Sequence, residues 1–157
     1  MSRRYINQKS QSGYGGNQQA DNNGGGGERW LGVQGYDKDA LYIAAEEDSM
    51  EKCNAAIEAG ANIDYLSSRS YIDKDGTDCG KDFSSLHVAC IRGYLPFVNR
   101  LLELNANVDI NTEKGRTPIY GASEKGHLPV VEALLQHGAA VDKARTTDGV
   151  TPLLCCI

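Results

Sequence analysis

The side chains in this sequence that could do chemistry are three histidines, five cysteines and one acidic cluster. The histidines are His87, His127 and His137, and the cysteines are Cys53, Cys79, Cys90, Cys155 and Cys156. No Cys–His pair has the spacing of a zinc site, and Cys155 and Cys156 are adjacent where a metal or redox pair would be separated by two residues. Five is an odd number, and no apolar h-region follows Arg3, Arg4 and Lys9, so neither a disulfide framework nor a secretory leader is expected. The cluster Asp73-Lys74-Asp75-Gly76-Thr77-Asp78 has some of the spacing of a calcium loop. Setting Gly76 at the sixth loop position puts Tyr71 at the first and Asp82 at the twelfth, so the first ligand fails and the last is too short. Asp75-Gly76 reads instead as the turn of an extended finger. Gly24 to Gly27 is followed by no Gly-Lys-Ser/Thr, so it is not a phosphate cradle. No convergent catalytic group, cofactor site or metal site is expected.

Composition narrows the classes further. The formal charge of −5 and a pI near 5.2 lack the basic excess that replaces phosphate counterions, so nucleic acid is not an expected partner. No stretch approaches the roughly 20 apolar residues of a membrane span. Residues 1–27 are rich in Gly, Asn, Gln and Ser, bury too little apolar surface to offset chain entropy, and are expected to form a disordered tail. The segment also lacks the apolar helical face of a transit peptide. The expected compartment is the cytoplasm or nucleus.

The elements that must position any functional side chain emerge from self-similarity. DALYIAAEEDSMEKCNAAIEAGANID from Asp39, SSLHVACIRGYLPFVNRLLELNANVD from Ser84 and TPIYGASEKGHLPVVEALLQHGAAVD from Thr117 align without a gap. Leu41, Leu86 and Ile119 share a column, as do Ala44, Ala89 and Ala122, and Ala61, Ala106 and Ala139. Ile63, Val108 and Val141 close the units, each followed by an Asp. A fourth unit begins at Thr151 as TPLLCCI. The spacing is 33 from Leu86 to Ile119 and 34 from Ile119 to Leu153, but 45 from Leu41 to Leu86, so about 12 residues are inserted between the first two units.

Local chemistry predicts a helix pair in each unit. Thr117 can cap the first helix, Pro118 fits its first position, and Gly126 can end it in the left-handed region. Pro129 and Pro96 head the second helices, and Val130, Val131, Leu134 and Leu135 form an apolar face at helical spacing. One pair cannot bury that face alone, so the units must stack.

The 33-residue period with Gly115, Thr117, Pro118, Ala122, Gly126, His127, Val130, Val131, Leu134, Leu135, Gly138 and Ala139 in the third unit resembles the ankyrin-repeat family. The resemblance covers about residues 37–157. It implies an all-α solenoid of stacked helix-turn-helix units with β-hairpin fingers, preceded by the tail. Repeats are expected at about 37–64, 82–109 and 115–142, with a truncated fourth at 149–157 and an insertion at about 65–80. The first unit, with Asp39-Ala40 for Thr-Pro and Asp48 for the turn Gly, reads as an N-terminal cap, with Trp30 covering the end of the core. TPLLCCI is a poor cap, so it reads as part of a longer array or, alternatively, as a degenerate C-terminal cap. His87 stands at the family's T-P-L-H position and is expected to strut neighbouring loops.

The resemblance implies a scaffold or adaptor that binds another protein through its concave face and fingers, itself a monomer. The alternative is the regulatory front segment of a larger enzyme or channel. Carried over position by position, the binding surface comprises Lys38, Glu46 and Glu47 in the first unit, and Phe83, Ile91 and Arg92 in the second. In the third it comprises Glu113, Lys114, Arg116, Glu124 and Lys125. Phe83 is expected to be exposed there as an anchor. The insertion is expected to project as a surface finger with Tyr71 near its tip, removable from Ser67 to Thr77 without loss of the helices.

Overall fold

The computed structural model describes residues 37–155, with the side chains of Leu153 and Cys155 excepted. The expectations for the tail, Trp30, Cys156 and Ile157 lie outside the described residues. Helix pairs follow in order: α1 (Ala40–Glu46) and α2 (Met50–Glu58), α3 (Ser85–Arg92) and α4 (Leu95–Glu103), α5 (Pro118–Glu124) and α6 (Leu128–Gln136). A short α7 (Pro152–Cys155) follows. The first helices stack as one layer, α1 on α3, α3 on α5 and α5 on α7, while α6 packs on α4 behind them.

Each helix starts and stops for a local reason. The Ser49, Ser84 and Thr117 hydroxyls accept from the N–H groups of Lys52, His87 and Tyr120, satisfying donors that the first turn leaves free. Gly93 and Gly126 reverse the chain between paired helices at φ 76° and 75°. In the first unit Asp48 fills that column at φ 52°, a conformation Asp tolerates better than most non-glycine residues.

The core runs through the stack. Ala44, Ala89 and Ala122 are fully buried and let the first helices approach, while Phe97, Leu101 and Leu134 fill the space behind. Gly121 serves the same end, since a Cβ there would lie 2.6 Å from Ile91 Cγ1. The units are also stitched edge to edge. Asp64 Oδ1 accepts from Asn107 N–H at 2.8 Å, and Asp109 Oδ1 from Ala140 N–H at 3.0 Å. In the first two units, the Asp that follows the closing apolar residue thus reaches into the next unit.

The fingers are turns rather than extended ribbons. Among the described residues the strand pairing consists of two isolated antiparallel bridges, Ser67 with Phe83 and Ile72 with Asp78, both at the insertion. Elsewhere the turns are closed by bonds such as Thr112 N–H to Arg116 O at 3.0 Å.

The insertion does not project as a free finger. It leaves the first unit beyond Asp64, returns at Phe83, and lies back across α3 as a strap. Ser67 N–H donates to Phe83 O at 3.0 Å, Tyr71 N–H to Gly80 O at 2.9 Å and Cys79 N–H to Tyr71 O at 2.8 Å. Side chains alternate along it, so Tyr71 turns inward at 1% exposure and Ile72 outward at 48%.

Candidate functional site

The stacked first helices bring three equivalent positions into one row at their C-terminal ends: Glu47, Arg92 and Lys125. Their neighbours in the preceding column are Glu46, Ile91 and Glu124. The strap crosses this row between the second and third units.

The strap is seated by aromatic and ionic contacts. The rings of Tyr71 and Phe83 stack with centroids 5.1 Å apart, and Phe83 meets the ring of His87 edge-on at 5.5 Å. Both aromatics are buried, which corrects the expectation that Phe83 is exposed and that Tyr71 stands near a tip. The physical reason is that strand-like alternation and apolar area carry them under the strap. The expectation that the insertion is a surface finger, removable from Ser67 to Thr77 without loss of the helices, meets the burial of Ser67 and Tyr71, which belong to the interior.

Beyond Tyr71 the chain turns through Asp73 to Thr77. Asp73 Oδ1 accepts from the N–H groups of Asp75 at 3.0 Å and Thr77 at 2.9 Å, which orders the turn locally. Its Oδ2 lies 3.2 Å from Lys125 Nζ, and Asp75 Oδ2 lies 3.4 Å from the same nitrogen. The bond from the Thr77 amide, with Lys125 beside it, holds the Asp73 carboxyl below its ordinary range. The bond to Asp73 in turn raises Lys125. The acidic cluster is therefore a clasp on the third unit, and no group of residues suited to a metal ion occurs among the described residues.

The remaining expected site residues fall into three sets. Lys38, Glu47, Glu113, Glu124 and Lys125 are exposed. Glu46, Arg92 and Lys114 are half-buried, with the Lys114 side chain packed under Gly80 of the strap. Ile91 and Arg116 are buried. Arg116 corrects its expected exposure: its Nη2 lies 2.6 and 2.5 Å from the two carboxylate oxygens of Glu124, and its guanidinium covers the Tyr120 ring. It is withdrawn from the surface and also commits Glu124, while Glu47 pairs with Lys52.

Two histidines hold the site's frame. His87 Nδ1 accepts from Ser84 N–H at 3.2 Å, so Nε2 carries the proton and donates to Arg116 O at 3.0 Å. Burial pulls its pKa down to about 4. His127 Nε2 donates to Ile91 O at 2.9 Å, tying the third unit to the end of α3. The sequence placed Lys74 and the Asp75-Gly76 turn on the inserted finger but did not reveal that Asp73 and Asp75 meet Lys125. The available signal was two acids beside a turn and a basic residue, Lys125, in the third unit to meet them.

The family model described as ankyrin repeats (3 copies) matches residues 86–157. Rabankyrin-5 from Mus musculus is 26% identical over 126 residues, covering 80% of this chain and 11% of its own length. Rabankyrin-5 from Homo sapiens is 35% identical over 117 residues, covering 74% and 10% respectively. NF-kappa-B inhibitor zeta from Bos taurus is 39% identical over 80 residues, covering 47% and 11%. The chain spans about a tenth of the length of these curated relatives.

Proposed function

The chain belongs to the ankyrin-repeat family, and we propose that it is a scaffold or adaptor module whose concave row and strap bind another protein. The observation that carries this reading is the row itself. Glu47, Arg92 and Lys125 are held in one column by a rigid stack, and the strap lies across two of its units. A row of charged side chains fixed on packed helices loses little freedom on binding, and that preorganisation favours affinity and specificity. The relatives support the class of function, since one of them is named as an inhibitor of another protein. Among the described residues no helix is long and apolar enough to cross a membrane. A cytoplasmic or nuclear site of action and a monomeric state belong to the same proposal.

The test is a charge-reversal scan against a partner captured by the full chain. Arg92→Glu and Lys125→Glu are expected to weaken binding at least tenfold, about 1.4 kcal/mol. Glu132→Lys and Asn99→Lys, on exposed positions of α6 and α4, are expected to leave it unchanged. Loss of binding in the outer-face variants alone would refute the reading.

A further inference from the structure

Where the strap passes from α3 to α5 it leaves a groove of about 220 Å3. Ile91 and Tyr71 form its apolar wall, and Arg92, Lys74 and Lys125 stand on its rim with the strap's two carboxylates. The two ends of this rim differ. Lys125 already holds Asp73 and Asp75. Arg92 occupies the equivalent position one repeat earlier and makes no ion pair among the described residues. Its Nε–H is buried without a hydrogen-bond partner among the described residues, and its guanidinium is hydrogen-bonded to the phenols of Tyr94 and Tyr71 rather than to an acid. Burial raises the pKa of Tyr71, so that phenol stays neutral. On the α1 side, Glu46 acts on Tyr42 and Tyr71 but forms no ion pair with Arg92.

We propose that the groove receives an acidic segment of the partner, with an Asp or Glu carboxylate bound by the Arg92 guanidinium and Lys74 closing over it. The inference rests on the interaction-module reading and names its ligand chemistry. The strap shows how the column works: an acidic turn seated on a cation at the end of a first helix. The partner supplies at Arg92 what the strap supplies at Lys125. A planar guanidinium pairs with a carboxylate through two parallel bonds, and the Ile91 wall takes an apolar neighbour of the acid. A carboxylate fits better than a phosphate dianion, because Lys125 is neutralised by the strap and, among the described residues on the rim, Arg92 and Lys74 are the cations without an acidic partner. The local charge is also opposite to that of the chain as a whole, which directs an acidic segment to this groove rather than elsewhere.

The experiment titrates the full chain with fluorescein-labelled octapeptides of leucine with glutamate, with glutamine or with phosphoserine, and follows anisotropy. The glutamate peptide is expected to bind at least about tenfold tighter than the glutamine peptide and no weaker than the phosphoserine one. Arg92→Gln is expected to remove that preference, and Lys74→Gln, at an exposed position outside the core, to reduce it about threefold with the thermal melt unchanged. Equal affinity for the glutamate and glutamine peptides, tighter phosphoserine binding, or an undiminished preference in both variants would overturn the proposal. A captured partner that still depends on Lys125 while the glutamate peptide fails would sink the acidic-ligand inference and leave the interaction-module reading intact. A peptide that binds through Arg92 while the captured partner depends only on the outer face would do the reverse.

Discussion

Lys125 Nζ lies 3.2 Å from Asp73 Oδ2, although 52 positions separate the two residues in the chain. The contact joins the strap inserted after the first unit to the third unit's first helix, across the second. It is an ion pair at the surface, so its contribution is expected to be screened by salt. Lys125→Ala, or about 1 M salt where the screening length is ~3 Å, is expected to speed amide exchange at Thr77 and Cys79 and leave α3 and α5 protected. Unchanged exchange at Thr77 in both conditions would show that the aromatic seat alone fixes the strap.

That seat is expected to dominate the energetics. Tyr71 is 1% exposed and stacked on Phe83, so Tyr71→Ala is expected to cost about 3 kcal/mol in urea unfolding. Deleting Ser67 to Thr77 is expected to destabilise at least as much, with helical circular dichroism reduced at elevated temperature. A deletion variant that melts like the parent would contradict the placement of Tyr71.

The helix pairs and most of their caps and turns were legible because the three aligned segments place their apolar and alanine columns in register. Thr117-Pro118 starts a helix, Gly126 ends it, and the alanine columns meet in the core, as the spacing implied. The Asp at the end of each unit was visible as a repetition, but its bond to the next unit's backbone was not, since hydrogen bonding across 43 residues leaves no local trace. The direction of the strap was harder. Tyr71 next to a turn suggested an exposed tip, yet the alternation of Tyr71 with Ile72 and the presence of Phe83 on the return pointed to an inward face. Arg116 was misplaced for a similar reason: a charged finger residue reads as solvated until Glu124, eight positions on, supplies its partner.

His87 makes stability depend on pH. Its pKa falls from an ordinary 6.5 to about 4 in the folded chain because burial disfavours the imidazolium. Between those values the unfolded chain holds a proton that the folded one lacks, so acid favours unfolding. Stability is expected to be complete above pH 6.5 and to fall towards pH 4 by at most about 1.4 kcal/mol per unit. Urea melts across that range check this, and His87→Gln should flatten the slope. Parallel slopes for the two proteins would show that other groups carry the effect.

Gly121 tests the closeness of the stack. An added methyl meets Ile91 Cγ1 at 2.6 Å, so Gly121→Ala is expected to cost about 1–3 kcal/mol of overpacking, offset by up to about 1 kcal/mol of helix propensity. A net gain in melting temperature would mean that α3 and α5 separate freely.

The outer helices carry the complementary case. Leu102 of α4 is 4% exposed beneath α6, whereas its equivalent on α6, Leu135, is 44% exposed and Leu128 is 64% exposed. Adding one designed capping repeat after Ile157 is expected to cover this stripe and raise the melting temperature by several degrees, because nearest-neighbour interfaces supply much of a solenoid's stability. An unchanged melting temperature would show that the stripe needs no cover.

The central claim is that recognition uses the concave row and the strap. Hydrogen exchange of the full chain, alone and saturated with its captured partner, tests it most directly. Protection is expected at Tyr71 to Gly76, at Ile91 and Arg92 and at Glu124 and Lys125, with α2, α4 and α6 exchanging as in the free chain. Protection confined to α2, α4 and α6, with the strap and the row unchanged, would contradict it.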